Sequence, residues 1–363
     1  MSYYILPKIN NKVIINPIDS SINTLQPYIS NSLFYYYTNI NNQIKELYEN
    51  NYDTSLNYNS LIKIINPYEY IFSKVPGSNF SVSKLKTKSN LFYDFLEVSL
   101  ALNIFEQYKT LNIKSLHLTY NKTDTIECFE LLRENYCDEI MYYDSINDEI
   151  IKFIGENKFN FMFFEVIQDE KYIISLLEYL MLIFKNQEFG GSCILKIGEI
   201  FYKPVVDVLY ILSSLYEKVY ILKPNTSNIT SFDKYIICKN FQTNNYKDNN
   251  LKLNYYKLLV FLKKLNNKNI ISILDFDIPS YFTIKLDDIN ITVGQQQLES
   301  LDGLISILKT KNKEEKIETI KKSNIQKSVV WCEKHKIPCN KFSDKINIFL
   351  PINKEDKNLE FLS

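Results

Sequence analysis

Apolar residues recur along this chain in two rhythms, short unbroken runs and longer stretches of three-to-four-residue period. The two alternate between about residue 90 and residue 240. Phe159 to Val166, FNFMFFEV, is almost wholly apolar, the signature of a strand buried on both faces. Ser115–Thr119, Glu139–Tyr143, Lys218–Leu222 and Lys234–Lys239 read as further strands, as does Ser192–Ile197 behind a Gly190-Gly191 turn. Helical spacing covers Phe92–Leu111, Asp124–Glu134 with a Thr-Asp pair at its start, Tyr172–Phe184, and the stretch between Ile197 and Lys218. Such alternation predicts an α/β fold with a doubly wound, mostly parallel sheet. The last two strands are joined by a polar loop without a helix. They are therefore expected to be neighbours, with one strand antiparallel.

The flanks follow other patterns. Residues 1–89 form an aromatic-rich N-terminal extension with one helix, Ser32 to Leu47, and a break at Val75-Pro76-Gly77-Ser78. Residues 246–363 are expected to be a helical C-terminal extension, with helices over Leu251–Leu265, Gln295–Leu308 and Lys313–Lys334. The sheet domain is then 90–245.

The 363 residues carry 42 basic and 42 acidic side chains, so any nucleic-acid or membrane surface must be a local patch. Only seven glycines are present, which leaves few places for chemistry that depends on glycine turns. Six cysteines are scattered without disulfide-framework spacing, which favours reduced thiols. MSYYILPKINNK has too short an apolar region for a signal peptide, and no run approaches the ~20 residues of a membrane span. A soluble cytoplasmic protein without a membrane partner is expected.

One lysine stands out, Lys196, near the end of an apolar strand and costly to desolvate unless paired. Around it, Gly190–Phe241 resembles the FtsJ-type ribose 2′-O-methyltransferase family, including the mRNA cap methyltransferases of large DNA viruses. The resemblance rests on Gly190-Gly191, Lys196, Lys223-Pro224, Thr226-Ser227-Asn228 and Phe232-Asp233-Lys234-Tyr235, and extends back to about residue 84. It implies a Rossmann-like methyltransferase fold. It also implies a Lys-Asp-Lys-Glu tetrad, in which a central lysine held by carboxylates activates a ribose 2′-hydroxyl towards the methyl group of S-adenosylmethionine. Lys196 falls on that central lysine. The family's aspartate falls on Glu165 and its glutamate on Asp233, so both acids have changed length in opposite directions. The first lysine falls on Lys84, Lys86 or Lys88 in VSKLKTKS, with Lys88 kept as the catalytic candidate. A misplacement of about 1 Å costs on the order of 100-fold in rate.

The cofactor loop departs further. The family has a Pro-Gly turn after its first strand, where backbone approaches the methionine end of the cofactor. This chain has Tyr120-Asn121-Lys122-Thr123-Asp124, with no glycine between Gly77 and Gly155. Asn121 is the candidate for a left-handed turn, Tyr120 and Lys122 would crowd a cofactor, and His117 replaces a usual acid. Asp144, closing the second strand, is the candidate ribose ligand. The expectation is a degenerate, catalytically inactive family member without a resident cofactor. It would serve as an RNA- or cap-binding or scaffold subunit in viral mRNA metabolism, together with other protein subunits, in host cytoplasm or a viral factory. The alternatives are an active cap 2′-O-methyltransferase using S-adenosylmethionine with Lys196, Glu165 and Asp233, and an interaction module without RNA contact.

Other signals have plainer readings. Cys332, His335 and Cys339 in WCEKHKIPC look like half a zinc site, but ordinary helix-end packing around Trp331 is expected and no metal. The run Lys309–Lys322 reads as a solvated helix face. No P-loop, GxSxG, HExxH or CxxC motif is present.

Overall fold

The computed structural model describes residues 3–20, 25–49, 58–243, 249–265, 269–310 and 313–340. The final part of the expected C-terminal extension, 341–363, lies outside the described residues. Two short strands, β1 (Tyr3–Ile5) and β2 (Ile18–Ser20), precede helices α1 (Asn31–Glu49), α2 (Tyr58–Ile65) and α3 (Leu91–Ala101). The alternating region begins with β3 (Lys114–Leu118), α4 (Lys122–Leu132), β4 (Glu139–Tyr143), α5 (Asp148–Ile154) and β5 (Phe159–Glu165). It continues with α6 (Tyr172–Asn186), β6 (Gln187–Ile197), α7 (Lys203–Leu215), β7 (Tyr216–Leu222) and β8 (Lys234–Phe241). Then come α8 (Asn249–Lys264), β9 (Asn269–Ser272), α9 (Ser280–Lys309) and α10 (Lys313–Lys334).

The chain divides into two compact units, each assembled from separate segments. The sheet unit comprises residues 1–36, 98–224 and 232–295, and the second unit 37–97, 225–231 and 296–363.

In the sheet unit seven strands lie in the order β4-β3-β5-β6-β8-β7-β1. β3, β4, β5 and β6 are parallel, and β8 runs antiparallel to both β6 and β7. This is a doubly wound Rossmann-like sheet with a reversed strand inserted beside its edge, the kind of sheet that the sequence resemblance implies. β1 adds a second antiparallel strand at the β7 edge, where one had been expected in all. Three residues are too few for a periodic signal, and their pairing is long-range. β2 and β9 form a separate two-stranded sheet.

Composition explains the layers. β5 is buried at every position except Asn160 and Glu165, as a strand covered on both faces must be. α7 opens with Pro204 in its first turn and is buried along nearly its whole length, so it is apolar all round rather than on one stripe. With α6 it contributes much of the sheet unit's core. The second unit has its own cluster, in which Ile44, Leu61, Ile64, Leu301, Leu304 and Ile317 meet.

Three local expectations change. The Gly-Gly pair is not a turn before the strand but a bulge inside it, because β6 already begins at Gln187. Phe159 faces Gln187 and Phe161 faces Ser192, so the extra residues loop out at Gly190, which has φ +75°. A Cβ on Gly191 would stand 2.8 Å from the carbonyl oxygen of Asn160, so close backbone approach fixes that glycine. The helix expected over Phe92–Leu111 ends at Ala101, since Asn103 turns left-handed at φ +48°. The helix expected from Gln295 begins at Ser280 instead.

Candidate functional site

In an open α/β sheet, ligands bind outside the carboxyl ends of the strands where the winding direction reverses. Here β3 leads outward to β4 and β5 leads the other way to β6, so the reversal lies between β3 and β5. The side chains at that place are closed on one another. Thr119, the residue after β3, donates from Oγ1 to Glu165 Oε2 at 2.6 Å. Lys196 Nζ donates to Glu165 Oε1 at 2.9 Å. Glu165 and Lys196 are register partners at the ends of β5 and β6, so the pleat alone puts them side by side. Their side chains are only 11% and 17% exposed, so the charge pair is largely withdrawn from water. The lysine near the end of β6 thus has its acid, and that acid also ties the end of β3. Beyond β5, the Gln168 amide lies where a Cβ on Gly198 would collide with it, so the segments following β5 and β6 touch.

The loop after β3 is only Thr119-Tyr120-Asn121. Thr119 Oγ1 also accepts from the backbone N–H of Asn121 at 3.3 Å. Asn121 has φ −100° and is not left-handed, contrary to the sequence expectation, because it is the residue from which α4 starts. Lys122 turns across to Asp144 at 3.2 Å and stands 5.5 Å from the ring centre of Tyr142. The carboxylate expected to hold a ribose is therefore engaged by the lysine that opens α4. Tyr120 is 73% exposed. His117 is fully buried inside β3 among Phe129, Phe161 and Phe163, and burial pushes its pKa down to about 3. It is a neutral core residue.

Asp233 stands just before β8, where its carbonyl oxygen accepts from Lys223 Nζ at 3.2 Å. The adjacent Lys234 is 1% exposed, with its Nζ 3.3 Å from the carbonyl oxygen of Phe232 and 5.3 Å from the ring centre of Phe232. Burial first, and the Lys223 charge second, lower its pKa to about 7, against the opposing pull of Asp233 and Glu199. Burial in turn raises Glu199. Sequence reasoning counted Lys234 only as part of a motif, although a lysine opening KYIIC carries the same desolvation signal as Lys196. Thr119 was also missed, because a threonine at a strand end reads as turn chemistry.

Lys84, Lys86 and Lys88 are exposed and belong to the second unit. The Asn225-Thr226-Ser227 stretch after Lys223-Pro224 belongs to that unit too. There Thr226 Oγ1 donates to Asp94 Oδ1 at 2.5 Å, and Glu97 accepts from the backbone and side chain of Asn225 at 2.9 and 2.7 Å. Burial raises the Glu97 pKa. At the end of α10 Trp331 is buried, with the His335 ring 4.3 Å away and Tyr93 at 5.8 Å. Among the described residues no group of three or more His, Cys, Asp or Glu side chains is placed to hold a metal. A cavity of about 640 Å³ in the sheet unit is bordered by Tyr28, Lys203, Asp275 and Phe276, with no lining residue from the carboxyl ends of β3 to β6.

No family model matches the chain. A stretch of 169 residues is 27% identical to an uncharacterised protein of Acanthamoeba polyphaga mimivirus, over 46% of this chain and 45% of that protein. The chain thus spans about half the length of this curated relative. Two solved structures of Haemonchus contortus phosphoethanolamine N-methyltransferase 2 are similar over 42% and 41% of this chain and 39% and 38% of theirs. One holds phosphomonomethylethanolamine and S-adenosylhomocysteine, the other S-adenosyl-L-methionine. With identities of 11% and 12% and TM-scores of 0.26, they carry no argument about this chain, whose fold rests on its own strand order. Among the described residues no helix is long and apolar enough to cross a membrane.

Proposed function

We propose that this protein is a methyltransferase-fold scaffold that does not transfer methyl groups and works as a binding subunit in viral mRNA metabolism. The observation that carries the reading is the Thr119–Glu165 hydrogen bond across the winding reversal. A hydrogen bond to a charged group contributes roughly 1.5–3 kcal/mol. A cofactor that has to break the Thr119–Glu165 bond to enter beyond the ends of β3 and β5 loses that much binding energy, on the order of 10- to 150-fold in affinity. The glycine-free loop and the Lys122–Asp144 pair act in the same direction. The family resemblance around Lys196 supports RNA or its cap as the ligand, and the mimivirus relative supports a viral setting. Other protein subunits are the partners this reading calls for.

Calorimetry with S-adenosylmethionine and S-adenosylhomocysteine tests the first half, with no binding expected below millimolar concentration. Micromolar affinity refutes it. Filter binding of capped and uncapped RNA at two salt concentrations tests the second half, because phosphate contacts weaken steeply with salt.

A specific observation favours a second reading, an active 2′-O-methyltransferase. The 2.9 Å contact of Lys196 with Glu165 is the pairing that such chemistry requires. This reading predicts methyl transfer to capped RNA that disappears in Lys196→Ala.

A further inference from the structure

Within the second unit, a cavity of about 380 Å³ lies between α9 and α10, closed at one side by Ile65 and Pro67. From α9 it is lined by Ser300, Gly303 and Ile307, which share one helical face. Gly303 is unusual. It lies inside a thirty-residue helix, yet a Cβ built on it meets no atom of the described residues within 4 Å. Glycine inside a helix is less stable than alanine, and no contact among the described residues demands it here. A glycine that no described neighbour requires, in the lining of a cavity, leaves the helix backbone open to a ligand.

The charge of the lining selects the ligand. α10 contributes Lys316 and Lys327 at the two ends of the cavity, three turns apart, with the hydroxyls of Thr319 and Ser323 between them. Among the described residues no carboxylate lines it. Glu299, Asp302, Glu315 and Glu318 lie on the same helices but outside the lining, and Glu318 turns to Lys321 at 3.6 Å. Lys316 Nζ rests on Ser306 Oγ at 2.6 Å, a neutral partner that an anion can replace. Two lysines match a dianion, which a phosphomonoester approaches at neutral pH. Ile65, Pro67, Ile307 and Ile320 supply an apolar wall for the rest of the molecule. The volume falls in the range of small-ligand pockets, about 300–1,000 Å³.

We propose that the α9–α10 cavity binds a phosphomonoester with an apolar or planar body, of about nucleoside-monophosphate size. The phosphate sits between Lys316 and Lys327, and the body lies against the Gly303 backbone and the isoleucine wall. This inference stands apart from the scaffold reading, since it uses none of the sheet unit's residues. A free nucleotide and the 5′ end of an RNA share this chemistry.

The test is calorimetry on the full chain with adenosine 5′-monophosphate, adenosine, inorganic phosphate, and tetra-adenylate with and without a 5′-phosphate. Adenosine 5′-monophosphate is expected to bind at least tenfold more tightly than adenosine or inorganic phosphate alone. A tighter 5′-phosphorylated tetranucleotide identifies the RNA end as the source, and a weaker one the free nucleotide. Gly303→Leu fills the cavity from a helix position with room for a side chain. It is expected to abolish binding while leaving the melting temperature unchanged or higher, so misfolding does not confound the result. Lys316→Gln with Lys327→Gln is expected to weaken binding at least tenfold and to flatten its salt dependence. The proposal is overturned if adenosine 5′-monophosphate fails to bind at millimolar concentration, binds Gly303→Leu as well as the wild type, or binds no better than adenosine.

Discussion

Replacing Glu165 by glutamine tests how much the closed carboxyl edge contributes to the fold. The substitution keeps the shape of the side chain and an oxygen for Thr119, and removes the charge that faces Lys196 at 2.9 Å. Removing one partner of a fully buried ion pair costs about 3–5 kcal/mol, because the other charge loses its counter-charge away from water. Lys196 keeps 17% of its side-chain surface in solvent, so the lower end applies, about 3 kcal/mol. Weakening the Thr119 bond to a neutral acceptor adds up to about 1 kcal/mol. For a unit of roughly two hundred residues this corresponds to a fall in Tm of about 6–16 °C. Thermal unfolding measures the total. Hydrogen exchange of the β5 and β6 amides locates the loss in the sheet unit, which matters because two units need not unfold together. Lys196→Met removes the cation instead, and the double variant is expected to be more stable than the sum of the single losses by at least about 1 kcal/mol. An effect of Glu165→Gln below about 0.5 kcal/mol, additive with Lys196→Met, refutes the reasoning.

Two further outcomes follow from the same unit. Burial lowers Lys234 from 10.5 to about 7, so between those values the unfolded chain holds a proton that the folded chain has released. Its penalty is full below pH 7 and fades as pH rises towards 10.5. The gain in stability from Lys234→Met, measured by urea unfolding, is therefore expected to be largest below pH 7 and to shrink with rising pH, and a gain independent of pH contradicts this. Gly191→Ala brings a Cβ within 2.8 Å of two carbonyl oxygens, those of Asn160 and Glu188, and is expected to cost about 1–3 kcal/mol in the same assay. A neutral result would mean that the bulge relaxes freely.

The central strands were legible because double burial writes itself as an unbroken apolar run, as in Phe159–Phe164. The edge pieces were not. β1, β2 and β9 have three or four residues each, and their partners are far along the chain. The early turns of α9 read SYFTIKLDDINIT, rich in β-branched residues that weaken a helical signal, and tertiary packing of Phe282, Leu286 and Ile289 overrides the local preference. At the site, Lys196 and Glu165 could be paired from sequence because each comes at the end of its strand, where register does the rest. Thr119 could not, since its role depends on which strand lies beside β3. The left-handed turn expected at Asn121 failed because the helix begins one residue later and constrains its backbone.

The strand Tyr3–Ile5 acquires a different meaning when the order of synthesis is considered. It completes the sheet by pairing with Tyr220–Leu222, more than two hundred residues downstream. At about 5–20 residues per second, a ribosome takes roughly 10–45 s to make that partner. Through that interval Tyr3-Tyr4-Ile5 emerges as an apolar strand without an edge to join, while the later edge is closed only when this early segment returns to it. Loss of Tyr3–Ile5 is therefore a perturbation of the last step of sheet assembly, and the open side of β7 is where such a protein would begin to associate with itself.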